Sequence, residues 1–294
     1  MPRKRLATKA KAKPPAGGGG HAPLGRPIVI VGVGHMGGAF ARGLIAAGFG
    51  PRLILIDPMM KPADARAFRA KGAQTGRDAE AIAGATPEAV ILAVKPQMMA
   101  VTAPAYAAAA RKAVVISIAA GTSIESLRIC LNNPPALVRA MPNLPAAIGK
   151  GISAAYATHS TTASQRKLVE VLLKAVGDMV WLDGEEMLNA VTAVSGSGPA
   201  YVFLLAEALA AAAERVGLMP DIAKILARKT VEGAGALLAQ SDADPADLRM
   251  SVTSPGGTTE AALKILLGDA RFEQLLSEAV AAATARSFEI AKTR

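Results

Sequence analysis

The sequence predicts an α/β protein made of two unlike parts, a doubly wound, mainly parallel sheet followed by an all-helical region. Three features carry that expectation. Short, wholly apolar runs alternate with helix-compatible stretches through the first part. A glycine-rich turn follows the first of those runs. From residue 185 onward the pattern is helix after helix. Apolar runs that alternate with helices indicate βαβ units and a parallel sheet covered on both faces.

Order begins at Arg26. Residues 27–31 (Pro-Ile-Val-Ile-Val) read as a strand buried on both faces. A helix over 38–47 follows the glycine turn. Further buried strands are expected over 53–56, 89–94 and 113–118, separated by helices near 63–71, 78–84 and 98–111. Residues 137–141 and 152–156 are expected to add edge strands. A helix over 164–176 and a short strand over 180–182 come next. The helical region is expected over 185–217, 220–239, 244–251, 258–268 and 270–292. The domain division expected is a basic tail over 1–25, a sheet domain over 26–160 and a helical domain over 161–294. The helix over 199–216 is apolar almost all round, which suits burial on several sides and makes a partner subunit its natural complement.

Composition narrows the function classes. The chain has 294 residues, 51% hydrophobic and 19% charged, which is globular. Aromatics are only 3%, too few for stacking platforms that grip single-stranded nucleic acid. The net charge of +10 is concentrated in residues 1–26, which hold seven basic side chains and no Asp or Glu. The folded body is nearly balanced, so it does not read as a nucleic-acid binder. Lys/Ala-rich and then Pro/Gly-rich, residues 1–25 read as a solvated tail, with a nucleic-acid or membrane tether as the alternative. Cys130 is the single cysteine, which fits a reducing compartment. No uninterrupted apolar run of spanning length and no secretory h-region is seen, so no membrane segment is expected and the cytoplasm is the default. No cysteine or carboxylate accompanies His21, His35 or His159 at metal-ligand spacing, so no metal site is expected.

Gly32-Val33-Gly34-His35-Met36-Gly37 is a complete G-x-G-x-x-G between a strand and a helix. Gly32 permits the tight turn, Gly34 lets backbone approach a diphosphate and Gly37 allows close helix–strand packing. The helix N-terminus offers unpaired N–H groups and a partial positive charge to that anion. Asp57 lies 20 residues past Gly37 at the end of the second strand, where a carboxylate accepts ribose hydroxyls. Ala93-Val94-Lys95-Pro96 and Ile118-Ala119-Ala120-Gly121 stand at two further strand ends, the ligand-binding edge of open α/β sheets. Lys95 is either near phosphate or nicotinamide, or a solvated loop lysine. Arg139 and Asn143, in Arg-Ala-Met-Pro-Asn-Leu-Pro, read equally as linker or site. Ser195-Gly196-Ser197-Gly198-Pro199 is either a structural kink or a substrate floor. Pro255-Gly256-Gly257-Thr258-Thr259-Glu260 opens a helix. It is either a well-made cap or, beside a dinucleotide domain, a loop that receives a carboxylate.

These segments together resemble the pyrroline-5-carboxylate reductases. The motifs that carry the resemblance are the glycine turn, Ala93-Val94-Lys95-Pro96-Gln97, Arg139-Ala140-Met141-Pro142-Asn143, the segment 193–201 and Ser254-Pro255-Gly256-Gly257-Thr258-Thr259. The resemblance implies a Rossmann domain plus a helical dimerisation domain. It implies reduction of 1-pyrroline-5-carboxylate to L-proline by NADPH or NADH in a homo-oligomer built on a dimer. It places cofactor contacts at Val31, Gly32, Val33, Gly34, His35, Met36, Ala93, Val94, Lys95, Pro96, Ile118, Ala119 and Ala120. It places the substrate at Glu185, Gly257, Thr258 and Thr259, with Thr259 as the catalytic hydroxyl. Asp57 departs from the family, which often carries Ser or Thr there to receive a 2′-phosphate. Its charge leans the expectation towards NADH, with Arg52 and Lys61 as candidate compensators. Two alternatives stand beside this reading. One is a β-hydroxyacid dehydrogenase using Lys224, Lys229 or Lys264, and the other is a nucleotide-binding protein without turnover.

Overall fold

The computed structural model describes residues 25–292. The expected basic tail over 1–25 therefore lies outside the described residues, Gly25 apart. Eight strands form one sheet in the order β3-β2-β1-β4-β5-β6-β7-β8. β1 (Ile28–Val31), β2 (Leu53–Ile56), β4 (Ala89–Leu92) and β5 (Val114–Ser117) are four residues each and buried throughout. Their side chains alternate between two faces. Ile28 and Ile30 join one core with Phe40, Leu44 and Leu55. Val29 and Val31 join the other with Ile54, Val90 and Tyr106. This two-sided burial explains why these strands read as unbroken apolar runs.

β1 pairs parallel with both β2 and β4, so the winding direction reverses there and a crevice opens at the carboxyl ends of β1 and β4. Helix α1 (His35–Ala46) leaves that crevice three residues earlier than expected, because Gly34 already serves as its N-cap. α2 (Pro62–Arg69) leads to β3 (Gln74–Gly76), a polar edge strand that the periodicity did not reveal. The helix expected over 98–111 is broken at Pro104. It becomes α3 (Met99–Thr102), a 3₁₀ turn over Ala103–Tyr106 and α4 (Ala107–Ala110). The stretch near 78–84 is a single 3₁₀ turn, Ala79–Ile82, capped by Asp78. α5 (Ile124–Cys130), also not anticipated, is capped by Ser123.

Residues 137–141 and 152–156 were expected at the edge, and the structure corrects this. β6 (Leu137–Met141) pairs parallel with β5, and β7 (Gly151–Ala157) pairs antiparallel with β6. The edges are β3 and β8 (Gly177–Trp181), which runs parallel to β7. The sheet and its core continue past the division expected after residue 160. α6 (Ala163–Lys174) buries Val169, Leu172 and Leu173 in the same core as Phe40, and Gly43 of α1 lies directly against Val176. The sheet therefore runs through Trp181.

Beyond it, α7 (Met187–Val191), a π-helical turn over Thr192–Gly196 and α8 (Gly198–Arg215) form one rod. The glycine segment produces a π-bulge and not a break. The carbonyl of Ala193 accepts the Tyr201 hydroxyl at 3.1 Å, and Gly196 rests on the Met141 methyl at the end of β6. α8 packs on α9 (Pro220–Gln240). α10 (Pro245–Ser251), α11 (Thr258–Leu267) and α12 (Arg271–Lys292) complete the chain, with α12 returning onto α7 and the π-turn. Within one protomer α8 buries only Ala210, while Phe203 is 59% and Leu204 62% exposed. By length and composition Met187–Arg215 is apolar enough to cross a membrane.

Candidate active site

Parallel pairing brings three strand ends to one edge. Val31 is in register with Leu92, and Leu92 with Ser117, so the segments that begin at Gly32, Ala93 and Ile118 lie side by side. Backbone bonds continue the ladder into them: Ala93 N–H to Val31 O (2.8 Å) and Ile118 N–H to Leu92 O (3.0 Å). Gly32 adopts φ +87°, which disfavours any side chain, and a Cβ there would lie 2.9 Å from the Ala93 carbonyl. A Cβ on Gly37 would lie 1.9 Å from Gly32 O, so α1 sits tight on the turn. Gly34 faces open space, with nothing within 4 Å of its virtual Cβ. No side chain caps α1, so the first-turn N–H groups of His35, Met36 and Gly37 stay available to an anion. An open glycine, an uncapped helix and small residues at the neighbouring strand ends fit a dinucleotide. Ala119 is buried and Ala120 exposed at that edge, Val94 and Pro96 are half-buried, and Lys95 is exposed.

Asp57 follows β2 at the same edge. Its Oδ2 accepts the Val33 N–H at 2.7 Å and its Oδ1 the Met59 N–H at 2.8 Å. Arg77, absent from the sequence-based candidates, donates to Pro58 O at 3.3 Å and so places a cation at the same corner. It follows the unanticipated β3, whose three residues, Gln-Thr-Gly, carry no periodic signal that could have found it. Arg52 cannot compensate Asp57 as expected. It stands at the opposite, amino end of β2, paired with Glu88 and bonded to Arg26 O.

The comparisons with known proteins agree with this architecture. The family model "Pyrroline-5-carboxylate reductase dimerisation" matches residues 185–290, and "NADP oxidoreductase coenzyme F420-dependent" matches 27–121. Among solved structures, a pyrroline-5-carboxylate reductase from Coxiella burnetii superposes with a TM-score of 0.83 at 33% identity, covering 90% of this chain and 98% of that one. The Plasmodium falciparum pyrroline carboxylate reductase, solved with NADP bound, reaches 0.76 at 26% identity, covering 91% and 99%. The Pseudomonas aeruginosa pyrroline-5-carboxylate reductase is 40% identical over 267 residues, 90% of this chain and 97% of that protein. The chain belongs to the pyrroline-5-carboxylate reductases.

In this reductase the motifs of the helical half divide into committed and uncommitted groups. Glu185 Oε1 accepts Arg139 Nη1 at 2.6 Å and the Ile124 N–H at 2.8 Å. It thereby joins β6, the start of α5 and the start of the helical half. Asn143 Oδ1 accepts the Ile152 N–H at 3.0 Å and holds the β6–β7 connection. Arg139 and Asn143 thus take the structural side of the alternatives left open above. The hydroxyls of Thr192 and Ser195 bond back to Leu188 O and Val191 O.

At the start of α11 the picture differs. Gly256 adopts φ +71° and its N–H is taken by Glu260 Oε2 at 2.7 Å, while the Gly257 N–H bonds Ser254 O. These two loop amides are spent on the turn itself. The hydroxyls of Thr258 and Thr259 have no hydrogen-bond partner among the described residues, and no side chain caps the helix. Of the lysines a β-hydroxyacid dehydrogenase would need, Lys229 pairs with Glu232 and Lys264 lies 3.9 Å from Glu260. Lys224 lines the α8–α9 groove.

Proposed function

We propose that this protein reduces 1-pyrroline-5-carboxylate to L-proline with NAD(P)H, as a homo-oligomer in the cytoplasm. The observation that carries the reading is the pairing of an open glycine turn at the sheet's switch point with a Thr258-Thr259 helix start whose hydroxyls are uncommitted. When bound, the reduced nicotinamide supplies the hydride that adds to the imine carbon. The chain's residues do the rest. The first-turn amides of α1 and the backbone at Gly34 hold the diphosphate. Val31, Val33, Ala93, Val94, Ile118, Ala119 and Ala120 form the wall against which the nucleotide lies, with Lys95 and Pro96 at its rim.

Thr258 and the first-turn amides of α11, next to Gly257, receive the substrate carboxylate. The Thr259 hydroxyl hydrogen-bonds the ring nitrogen, which takes up a proton as the carbon takes the hydride. A cyclic imine protonates readily, so no strong general acid is required. Glu185 is anchored through its Oε1, which is shared between Arg139 and the Ile124 amide, and this leaves its Oε2 for the substrate side. Within one protomer α11 rests on α12, and α8 leaves large apolar side chains exposed. A dimer supplies the apolar surface that α8 and α9 require, in place of a membrane, and brings the Thr258-Thr259 turn of one subunit to the nucleotide edge of the other. Asp57 stands at the ribose end of the edge with both oxygens already taken by backbone amides, so the lean towards NADH expected from its charge is left to the comparison of the two cofactors.

Oxidation of NADH and of NADPH should be followed with pyrroline-5-carboxylate, with a β-keto acid and with no substrate. Turnover with the imine alone is expected, and turnover with the keto acid overturns the assignment. A clear preference for NADPH in kcat/KM removes the cofactor preference but not the reaction. Thr259→Val is expected to lower kcat about tenfold or more while leaving cofactor Kd unchanged. Full turnover in that variant would show the hydroxyl to be idle.

A further inference from the structure

The geometry points to Asp57 as a positioning residue that braces the glycine turn, so that its loss weakens NADH and NADPH alike instead of exchanging one for the other. This rests on the proposed reading that a dinucleotide occupies the crevice.

Both oxygens of Asp57 accept backbone amides, Val33 N–H at 2.7 Å and Met59 N–H at 2.8 Å. Val33 is the second residue of the glycine turn, and Met59 lies in the turn that leaves β2. The backbone around Asp57 is itself anchored, since its own N–H bonds Gly76 O at 3.1 Å and the Gly32 N–H bonds Ile56 O at 2.8 Å. One carboxylate therefore ties the glycine turn to the end of β2. With Gly32 at φ +87°, the peptide that carries the Val33 amide is turned towards β2. The amides of His35 and Met36 are then left for the diphosphate.

Only a carboxylate satisfies both donors at this spot. An asparagine has one acceptor oxygen and must aim an amino group at the other N–H. Two backbone N–H groups also partly offset the carboxylate's charge, and Arg77 brings a cation to the same corner. A purely electrostatic gate at the ribose predicts that neutralising Asp57 improves NADPH. The brace predicts that it harms both cofactors, because both share the diphosphate.

The test uses Asp57→Asn, Asp57→Ser and Asp57→Glu in the full-length oligomer. Two quantities are read: Kd for NADH and NADPH by nucleotide fluorescence, and amide hydrogen exchange over residues 31–37 of the cofactor-free enzyme. The Asn and Ser variants are expected to raise both Kd values about tenfold or more, with their ratio nearly constant, because hydrogen bonds to a charged acceptor are lost. Their 31–37 segment should exchange faster even without nucleotide. Asp57→Glu keeps the charge but moves the oxygens, so it should fail in the same direction. A Kd for NADPH that falls as that for NADH rises, a native-like Glu variant, or unchanged exchange in the cofactor-free Asn variant each overturns the brace. Failure of the wild-type enzyme to bind either nucleotide would instead overturn the dinucleotide reading on which the brace rests.

Discussion

Two neighbouring glycines should fail in opposite ways when replaced by alanine. At Gly37 the new methyl would lie 1.9 Å from Gly32 O, whereas real Cβ contacts essentially never fall below 3.0 Å. The obstacle is backbone, so α1 and the turn must part by about 1 Å, an overpacking strain of about 1–3 kcal/mol. For a domain of this size that lowers Tm by about 2–12 °C. At Gly34 the backbone already has φ −70°, open to any residue, and the methyl meets nothing within 4 Å. Gly34→Ala should therefore keep or slightly raise the stability of the cofactor-free enzyme, by up to about 0.5 kcal/mol from reduced chain entropy. The space it fills is where the diphosphate must approach, so loss of one charge-assisted hydrogen bond weakens NADH about 10–100-fold. Thermal unfolding without nucleotide and a fluorescence titration with NADH, on both variants, separate the two effects. Equal destabilisation by both substitutions, or native NADH affinity in Gly34→Ala, would refute the placement of the diphosphate at Gly34.

Arg139→Met should cost about 1–3 kcal/mol in chemical denaturation, because Glu185 is then left half-buried with the Ile124 amide alone. Unchanged stability would show the pair to be solvated and not a brace between the two domains. The Glu170 carboxyl is held below the ordinary carboxylate range, first by the Trp181 indole N–H and then by Lys167. A depressed folded-state value means that the contribution is complete above the ordinary range and is lost as pH falls through the lower value. The stability advantage of the wild type over Glu170→Gln, followed by the fluorescence of Trp181, the single tryptophan, should accordingly shrink on acidification. An advantage independent of pH would refute the linkage.

The sequence by itself determined the alternation of four-residue apolar strands with helices, the glycine turn after β1 and the run of helices beyond residue 185. These rest on local properties: which faces a strand buries, which residues tolerate φ near +87° and where a helix can begin. What escaped the sequence has little periodicity of its own. β3 is Gln-Thr-Gly at an edge, and of β8 only the last part was expected, as a strand over 180–182, since its side chains alternate between a half-buried and an exposed face and give no apolar run. The extension of the sheet through β8 depends on α6 packing into the core of β1 and α1, a contact between distant segments.

The tertiary structure alone decided which polar side chains are spent and which remain available. Asp57 meets Val33 across 24 residues, Arg139 meets Glu185 across 46 and Ile124 meets Glu185 across 61. No spacing rule encodes such partners, because a hydrogen bond depends on where two segments arrive in space and not on their separation along the chain. For the same reason Thr258 and Thr259 matter: the fold leaves their hydroxyls unspent while it consumes the loop amides beside them.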